Sequence, residues 1–523
     1  MQCPPTYPDG CKIVFCGEAP SEDEVRLGEG FSGKEGRVLD KAMAVAGISR
    51  KEVGLTNVVK RIPDGGADSE QFEKTFYVRE RVGRRILTRL SDELIGWIGV
   101  LASEIERVRP KVVVACGQHA LSALTGLSGI TKWQGSVIES TLVPGVKVVP
   151  VMHPSWIMRK AQWQALYTLG RILSSKVVPE SEFPEIRRQG WHEQTAPTIG
   201  EVCEYARSVS GPWTLDIELR GNALSCVGLA FGPLGRERSI CVPIQTTTGP
   251  YFSVEEEYTW WRCLQELCER NTQGPIGHNI VCDMGWLSRY GIRPCNAEDT
   301  MLLFHRLYAE LPKKLAFLNM LYTDIPYYKD DGKTWGQREP DEKLWHYNLK
   351  DVVSTLRVWH GLHHDQEVMV GKSSKALYET LAKPLVPIAI EMQNEGMRGD
   401  PAALLLAKAV ATVELCKIRE YLSKLTEGVL VVREGNSKIT DRQVMDYLYR
   451  TLGLPKKKKF STGSETADED AIVELMVSEL SKKTSPHLEV LRCILAERKF
   501  FKLLTSYINI DWGLKSIVTE WAV

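Results

Sequence analysis

Two carboxylates stand two residues apart in "WTLDIELRG", residues 213 to 221. Side chains alternate along a strand, so Leu215, Ile217 and Leu219 would line one face while Asp216 and Glu218 share the other. Like charges that close raise each other's pKa and destabilise the fold unless a cation lies between them. Further candidates follow at helical spacing. In "IGHNIVCDMGWL" the spacing predicts Asn279 and Asp283 on one helical face, with Ile280, Val281 and Trp286 left to bury. In "REPDEKLWHYNLKDVVSTLRVW", Pro340 and the acids after it open a helix. Tyr347 and Asp351 share a face of that helix, and Leu344, Leu349, Val352 and Leu356 can serve the core. Four acids converging from a strand and two helices call for divalent metal. A pair of magnesium ions roughly 4 Å apart, with manganese as the alternative, would neutralise them and stabilise the attacking and leaving oxygens of phosphodiester cleavage. The hydroxyl of Tyr347 can orient an attacking water without adding charge.

The elements that must position these groups fall into three regimes, and a chain of 523 residues suggests roughly three domains. Hydrophobic content of 43% with 25% charged residues is that of a soluble globular protein. Lys plus Arg and Asp plus Glu balance at 66 each, so any nucleic-acid surface must be local. Thirteen cysteines scattered singly, and no signal peptide in "MQCPPTYPDG", point to reduced thiols in a cytosolic protein. No run approaches the roughly 18 apolar residues of a membrane span.

From Lys12 to about Lys176, strands such as "KIVFCG", "KVVVACG" and "VKVVPVMHP" alternate with helices such as "GRVLDKAMAVAG" and "QHALSALTG", which predicts a parallel sheet covered on both faces. The polar stretch "VPESEFPEIRRQGWHEQTAPT" reads as a linker. From Trp213, three strands in sequence are followed by helices to about His364, and the rest reads as nearly all helix. There, Leu381, Leu385, Ile388 and Met392 form an apolar stripe ending at Gly396, a C-cap residue. The expected architecture is α/β multidomain: residues 1–180, a linker over 181–197, then 198–368 and 369–523.

The order D-x-E, N-x-x-x-D, Y-x-x-x-D resembles the proofreading 3'-5' exonuclease domain of the DnaQ-like, ribonuclease H-like superfamily, as found in family A DNA polymerases. By that resemblance Asp216, Glu218 and Asp351 would hold the metals, Asp283 would act largely through water, Tyr347 would position the nucleophilic water and Asn279 would meet DNA. The helical remainder resembles the thumb side of the same polymerases, which implies contacts from Lys456, Lys457, Lys458, Lys459, Arg498, Lys499 and Lys502 to duplex phosphates. Palm and fingers motifs are not found in the sequence, so the expectation is the front part of a polymerase. Its partners would be a single-stranded 3' end, a primer-template and a separate palm-bearing subunit.

"FCGEAPSEDEVRLGEGFSGKEGRVLDKAMAVAGI", "LTNVVKRIPDGG" and "VMHPSW" resemble the uracil-DNA glycosylase superfamily and its three-layer αβα fold, nearest the iron-sulfur class called family 4. The resemblance implies Phe31 stacking on an extruded base, Asn57 pairing with its edge, His153 stabilising the departing base and Glu18 near the attacking water. Arg61 stands where a cluster ligand is expected, and Cys3, Cys11 and Cys16 lack a partner set, so no iron-sulfur cluster is expected. Ser21 replaces a glycine of the first motif and is expected to perturb that loop. The three-part fusion resembles replicative polymerases of bacteriophages and implies a bacterial or phage-infected host cytoplasm. The rival readings are a stand-alone repair nuclease and a non-catalytic scaffold for a separate polymerase subunit.

Overall fold

The computed structural model describes residues 2–508 except 67, 83–84, 161–162, 294–295, 334–339, 371–375, 397–399, 459–463 and 482–484. Lys459 therefore lies outside the described residues. The chain forms two compact units, residues 1–395 and 396–523. Strands β1 (Ile13–Gly17), β2 (Gly54–Asn57), β3 (Val112–Cys116), β4 (Ile138–Glu139) and β5 (Lys147–Val151) form a sheet ordered β2-β1-β3-β5-β4. Its strands are parallel except for β4, which runs antiparallel to β5. Every residue of β1, β3 and β5 is buried, as helices on both faces require of a parallel sheet. The short helix α1 (Glu22–Leu27) and the longer α2 (Lys34–Val45) follow β1, and α3 (Gln118–Thr125) follows β3.

The second sheet comprises β6 (His192–Gln194), β7 (Trp213–Arg220), β8 (Ala223–Phe231), β9 (Arg238–Pro243), β10 (Ile276–Gly277) and β11 (Glu298–Asp299), ordered β11-β10-β7-β8-β9-β6. The antiparallel hairpins β7-β8 and β8-β9 make the expected meander. Helix α4 (Ile280–Leu287) lies on one side of β7, and α5 (Asp341–Asp365) crosses β7, β8 and β9. The stretch expected to be a linker is instead strapped to the body. Residues 192–194 pair as the edge strand β6. The buried ammonium of Lys147 donates to Glu180 Oε2 at 2.9 Å and to the carbonyls of Phe183 at 2.7 Å and Glu185 at 3.1 Å. A buried ammonium needs such acceptors, and a backbone segment can supply them.

Helix α6 (Lys383–Glu395) ends at Gly396 with φ +63°, as the capping argument requires. The apolar stripe on and just before α6 faces outward: Leu381, Leu385, Ile388 and Met392 are all exposed. The helix docks on α4 through other positions, with Val386 buried and Ile390 packed against the same core. In the second unit, α7 (Pro401–Leu425) packs on α8 (Leu488–Leu503). A core of Leu422, Leu430, Leu448, Ile472, Leu491 and Ile494 fills that unit.

The buried Arg357 of α5 pairs with Glu237 at 2.7 and 3.0 Å, and also binds Asp324 and the Gln189 carbonyl. Breaking a buried pair leaves a charge uncompensated, so Arg357→Met should lose about 3–5 kcal/mol of stability. Chemical denaturation checks this, and a loss under about 1 kcal/mol would mean that Glu237 finds another partner.

Candidate active site

Strand β7 lies inside its sheet, so both its edges are paired with neighbouring strands. Leu215 and Ile217 enter the hydrophobic core, and Leu219 packs partly against it. Asp216 and Glu218 turn the other way, where α5 brings Asp351, and ligand oxygens of the three all lie within 4.8 Å of one another. Among the described residues this is the group of acids, histidines and cysteines whose ligand atoms converge. Asn348, buried on α5, donates its amide to the carbonyl of Asp216 at 3.2 Å and to Oδ2 at 2.9 Å. Gly228 sits opposite Asp216 in the sheet and makes room for that amide, since a Cβ there would lie 2.2 Å from Asn348 Oδ1. Asp351 accepts hydrogen bonds from Tyr328 Oη at 2.5 Å and from Lys329 Nζ at 2.5 Å on each oxygen. Asp283 is outside the trio, and its Oδ1 accepts the Ile217 N–H at 3.0 Å.

Burial and crowding set the charge states. Burial, then Asp351, Asp283 and Glu218, holds the Asp216 carboxyl well above its ordinary range, while Lys329 opposes the shift. Glu218 is pushed up to about 8 by burial and by Asp351. Asp283 rises to about 7 through burial, against the pull of the Ile217 N–H. Burial and the nearby carboxylates also raise Tyr347, which keeps its phenol neutral. The trio offers only carboxylate oxygens, a hard donor set that suits magnesium or manganese.

One expected alignment fails. Asn279 is not on the helix that carries Asp283 but caps its start in the left-handed region, φ 67° and ψ 45°, with its N–H on Asp299 Oδ1 at 3.0 Å. Asparagine tolerates that conformation better than most residues, so helical spacing does not carry across it. Lys329, Tyr328 and Asn348 had no role assigned from sequence. A lysine in the loop stretch "YYKD" and an asparagine inside a helix carry no period that would single them out.

In the second unit, Lys456 pairs with Glu465 at 2.7 Å and Lys457 with Glu474 at 2.7 Å. Arg498 is held by Asp441 at 2.7 Å and by the Ala467 carbonyl. Lys458, Lys499 and Lys502 are exposed.

The first sheet gathers the four base-pocket candidates at the carboxyl ends of its strands. A Cβ on Gly17 would lie 2.2 Å from Asn57 Oδ1 and 2.9 Å from Phe31 Cζ, so this glycine lets both side chains close in. The Phe31 and His153 rings are 6.4 Å apart, and Glu18 Oε1 accepts the His119 N–H at 3.0 Å. Ser21 anchors its loop: it caps α1 in a capping box with Glu24, whose other oxygen accepts the Phe31 N–H. Arg61 binds Glu93 at 2.6 Å and Asp64 at 3.1 Å and lies over the Phe76 ring, and Cys3, Cys11 and Cys16 are buried and, among the described residues, belong to no group of converging ligand atoms.

Comparison with known proteins finds DNA-processing families for both parts of the first unit. Residues 4–169 match the family described as the uracil DNA glycosylase superfamily, and residues 234–367 match the 3'-5' exonuclease of A-type DNA polymerases. The second match covers Asp283, Tyr347 and Asp351 and begins after the strand that bears Asp216 and Glu218. A type-4 uracil-DNA glycosylase of Thermotoga maritima is 32% identical over 150 residues, 28% of this chain and 67% of the relative. The DNA polymerase of Bacillus phage SP01 is 23% identical over 489 residues, 86% of this chain and 50% of the relative. DNA polymerase I of Rhizobium leguminosarum is 25% identical over 233 residues, 42% of this chain and 22% of the relative. The chain thus spans half the length of the phage polymerase it matches. It belongs to the uracil-DNA glycosylase superfamily through its N-terminal part and carries a 3'-5' exonuclease domain of the family A DNA polymerase kind.

The raised carboxylate makes stability depend on pH. Glu218 moves from 4.5 to about 8, so its contribution is complete below the unfolded value and is lost as pH rises through about 8. In EDTA the melting temperature should fall between about pH 5 and about pH 8 by more than in Glu218→Gln, and magnesium should restore it at the alkaline end. Identical slopes for the two proteins in scanning fluorimetry would count against a protonated Glu218.

Proposed function

We propose that this chain proofreads DNA during replication, removing nucleotides from a single-stranded 3' end with two divalent ions, magnesium or manganese. Asp216, Glu218 and Asp351 would hold the ions, with Asp283 acting through water. The observation that carries this reading is the convergence of the three carboxylates within 4.8 Å, with Tyr347 one helical turn before Asp351. When bound, the ions would supply charge stabilisation at the attacking and leaving oxygens. Tyr347, neutral at working pH, orients the water. The water oxygen forms a bond to phosphorus as the bond from phosphorus to the 3' oxygen breaks. A nucleoside 5'-monophosphate leaves, the water gives up a proton to solvent, and the shortened strand's 3' oxygen takes one up.

In this reading residues 1–180 are the glycosylase-like domain, 198–368 the exonuclease and 369–523 the thumb-side part, where Lys456 to Lys459, Arg498, Lys499 and Lys502 would hold the primer-template. Palm and fingers would act with it, on the same polypeptide or on a separate subunit, in the cytoplasm of a bacterium or a phage-infected host. Alignment of 86% of the chain with a phage DNA polymerase supports this. The closeness of Asn57 and Phe31 over Gly17 supports a role for the first domain in binding uracil in DNA.

With 5'-labelled single-stranded DNA, shortening from the 3' end should require magnesium and stop in EDTA. Asp216→Ala should slow it by at least about a thousandfold without lowering the melting temperature, because it removes one of several mutually repelling carboxylates. Degradation that persists in EDTA would refute the metal assignment. In the Asp216→Ala background, uracil-containing strands should bind at least about fivefold more tightly than thymine counterparts, and Asn57→Ala should erase the difference. Equal affinities for the two strands would remove uracil recognition from the first domain.

A further inference from the structure

The segment from Ile325 to Asp331 lies between two bodies. On one side it reaches the carboxylate trio. Lys329 Nζ donates to both oxygens of Asp351 at 2.5 Å and to Tyr347 Oη at 3.1 Å, and Tyr328 Oη donates to Asp351 at 2.5 Å. On the other side it meets the glycosylase-like domain. The Tyr327 N–H donates to Ser136 Oγ at 3.1 Å, the Tyr327 ring stands edge-on to Trp133 at 5.7 Å, and Asp330 pairs with Lys132 at 2.8 Å. Beneath it, Ile325 and Tyr328 pack with Val352, Val353 and Leu356 of α5, and Asn319 Nδ2 holds the Ile325 carbonyl at 2.9 Å.

We propose that Lys329 is a working residue of the exonuclease site and that the glycosylase-like domain positions it through Trp133, Ser136 and Lys132. The proposal rests on the exonuclease reading above. An ammonium has donors and no acceptor, so toward Tyr347 it can only donate. The phenol's own hydrogen must then point away from Lys329, which fixes which lone pair of Tyr347 can receive a hydrogen from the attacking water. The same positive charge stands on Asp351, where it shares a metal-binding carboxylate with any divalent ion and lowers the charge that ion meets. Lys329 is neither on α5 nor on the sheet. Its place depends on a loop whose outer face meets residues 132–136 of the other domain. A shift of about 1 Å at such a position can cost a hundredfold in rate.

The test uses the full chain with single-stranded DNA in magnesium, and manganese alone as the probe of metal affinity. Lys329→Met should lower kcat about a hundredfold with KM within about threefold, and Lys329→Arg should recover part of the loss. Without DNA, Lys329→Met should bind manganese severalfold more tightly by electron paramagnetic resonance, a reading that does not require nuclease activity. Lys350→Met removes the same charge one residue from Asp351, where the lysine faces Asp331 at 3.2 Å, and should leave kcat within about twofold. Trp133→Ala should lower kcat about tenfold in the wild-type background and add nothing in Lys329→Met, because its effect passes through that lysine. Melting curves confirm that each variant is folded.

Wild-type kcat and unchanged manganese affinity in Lys329→Met would overturn the role of Lys329. An equal loss in Lys350→Met would reduce it to general charge. The same factor lost on Trp133→Ala in both backgrounds would overturn the positioning claim. A wild-type chain without nuclease activity would defeat the exonuclease reading instead, while the manganese measurement would still report on the contact between Lys329 and Asp351.

Discussion

The elements around the second sheet answer one electrostatic constraint: Asp216, Glu218 and the buried Asp351 bring ligand oxygens within 4.8 Å of one another. At that separation the groups repel strongly, and Asp216 and Glu218 resist ionisation. The chain meets the constraint by fixing the carboxylates from several directions. Asn348 holds Asp216 from the helix side, and the Ile217 N–H holds Asp283. Tyr328 and Lys329 hold Asp351 from a loop. Such crowding survives only on a stiff support, which accounts for an interior strand and a helix of 25 residues laid across three strands. A scaffold that yielded would let the acids separate, and the site would lose the geometry that divalent metal binding requires.

What could be read from the sequence follows the two regular periods. Alternation placed Asp216 and Glu218 on the face away from Leu215 and Ile217, and helical spacing placed Tyr347 and Asp351 together, because β7 and α5 are long and regular. Asn279 lay one residue outside its helix, where a left-handed backbone breaks the period. Tyr328 and Lys329 come from a loop, and the position of a loop is decided by what it packs against. The linker shows the same limit. Its polar composition does not show that the buried Lys147 of β5 gathers the carbonyls of Phe183 and Glu185. The apolar stripe at Leu385, Ile388 and Met392 has helical period, yet period alone does not say which face of α6 is buried.

The cluster of Phe31, Asn57 and His153 around Gly17 obeys a different logic, one of close approach. Phe31 adopts φ +53°, unusual for a side chain with a Cβ, and is held there by Glu24 and by the packing of Gly36 against its carbonyl. Strain of this kind persists only where the surroundings over-determine it. Ser21 belongs to those surroundings, because its capping box fixes the Glu24 carboxylate that receives the Phe31 N–H. The loop in which Ser21 is expected to act is thus held by this capping box. Arg61 is comparable: where a cluster ligand was expected, its ion pairs with Glu93 and Asp64 and its stacking on Phe76 tie the same region together.

The joint between the two sheets gives their fusion a physical meaning. Asp365, at the end of α5, accepts hydrogen bonds from Tyr308 at 2.8 Å and Tyr322 at 2.7 Å and pairs with Arg171 of the first domain at 3.1 Å. Trp163 of the first domain reaches Glu310, and Lys132 reaches Asp330. These contacts fall on α5 and on the loops beside it, the elements that carry Asp351 and Lys329. A surface ion pair such as Lys132 with Asp330 contributes little to stability by itself. Its bearing is geometric instead, since Asp330 is adjacent in sequence to Lys329, whose ammonium contacts Asp351. In the proposal above, the first domain bears on the exonuclease by narrowing the positions open to the loop that carries Lys329.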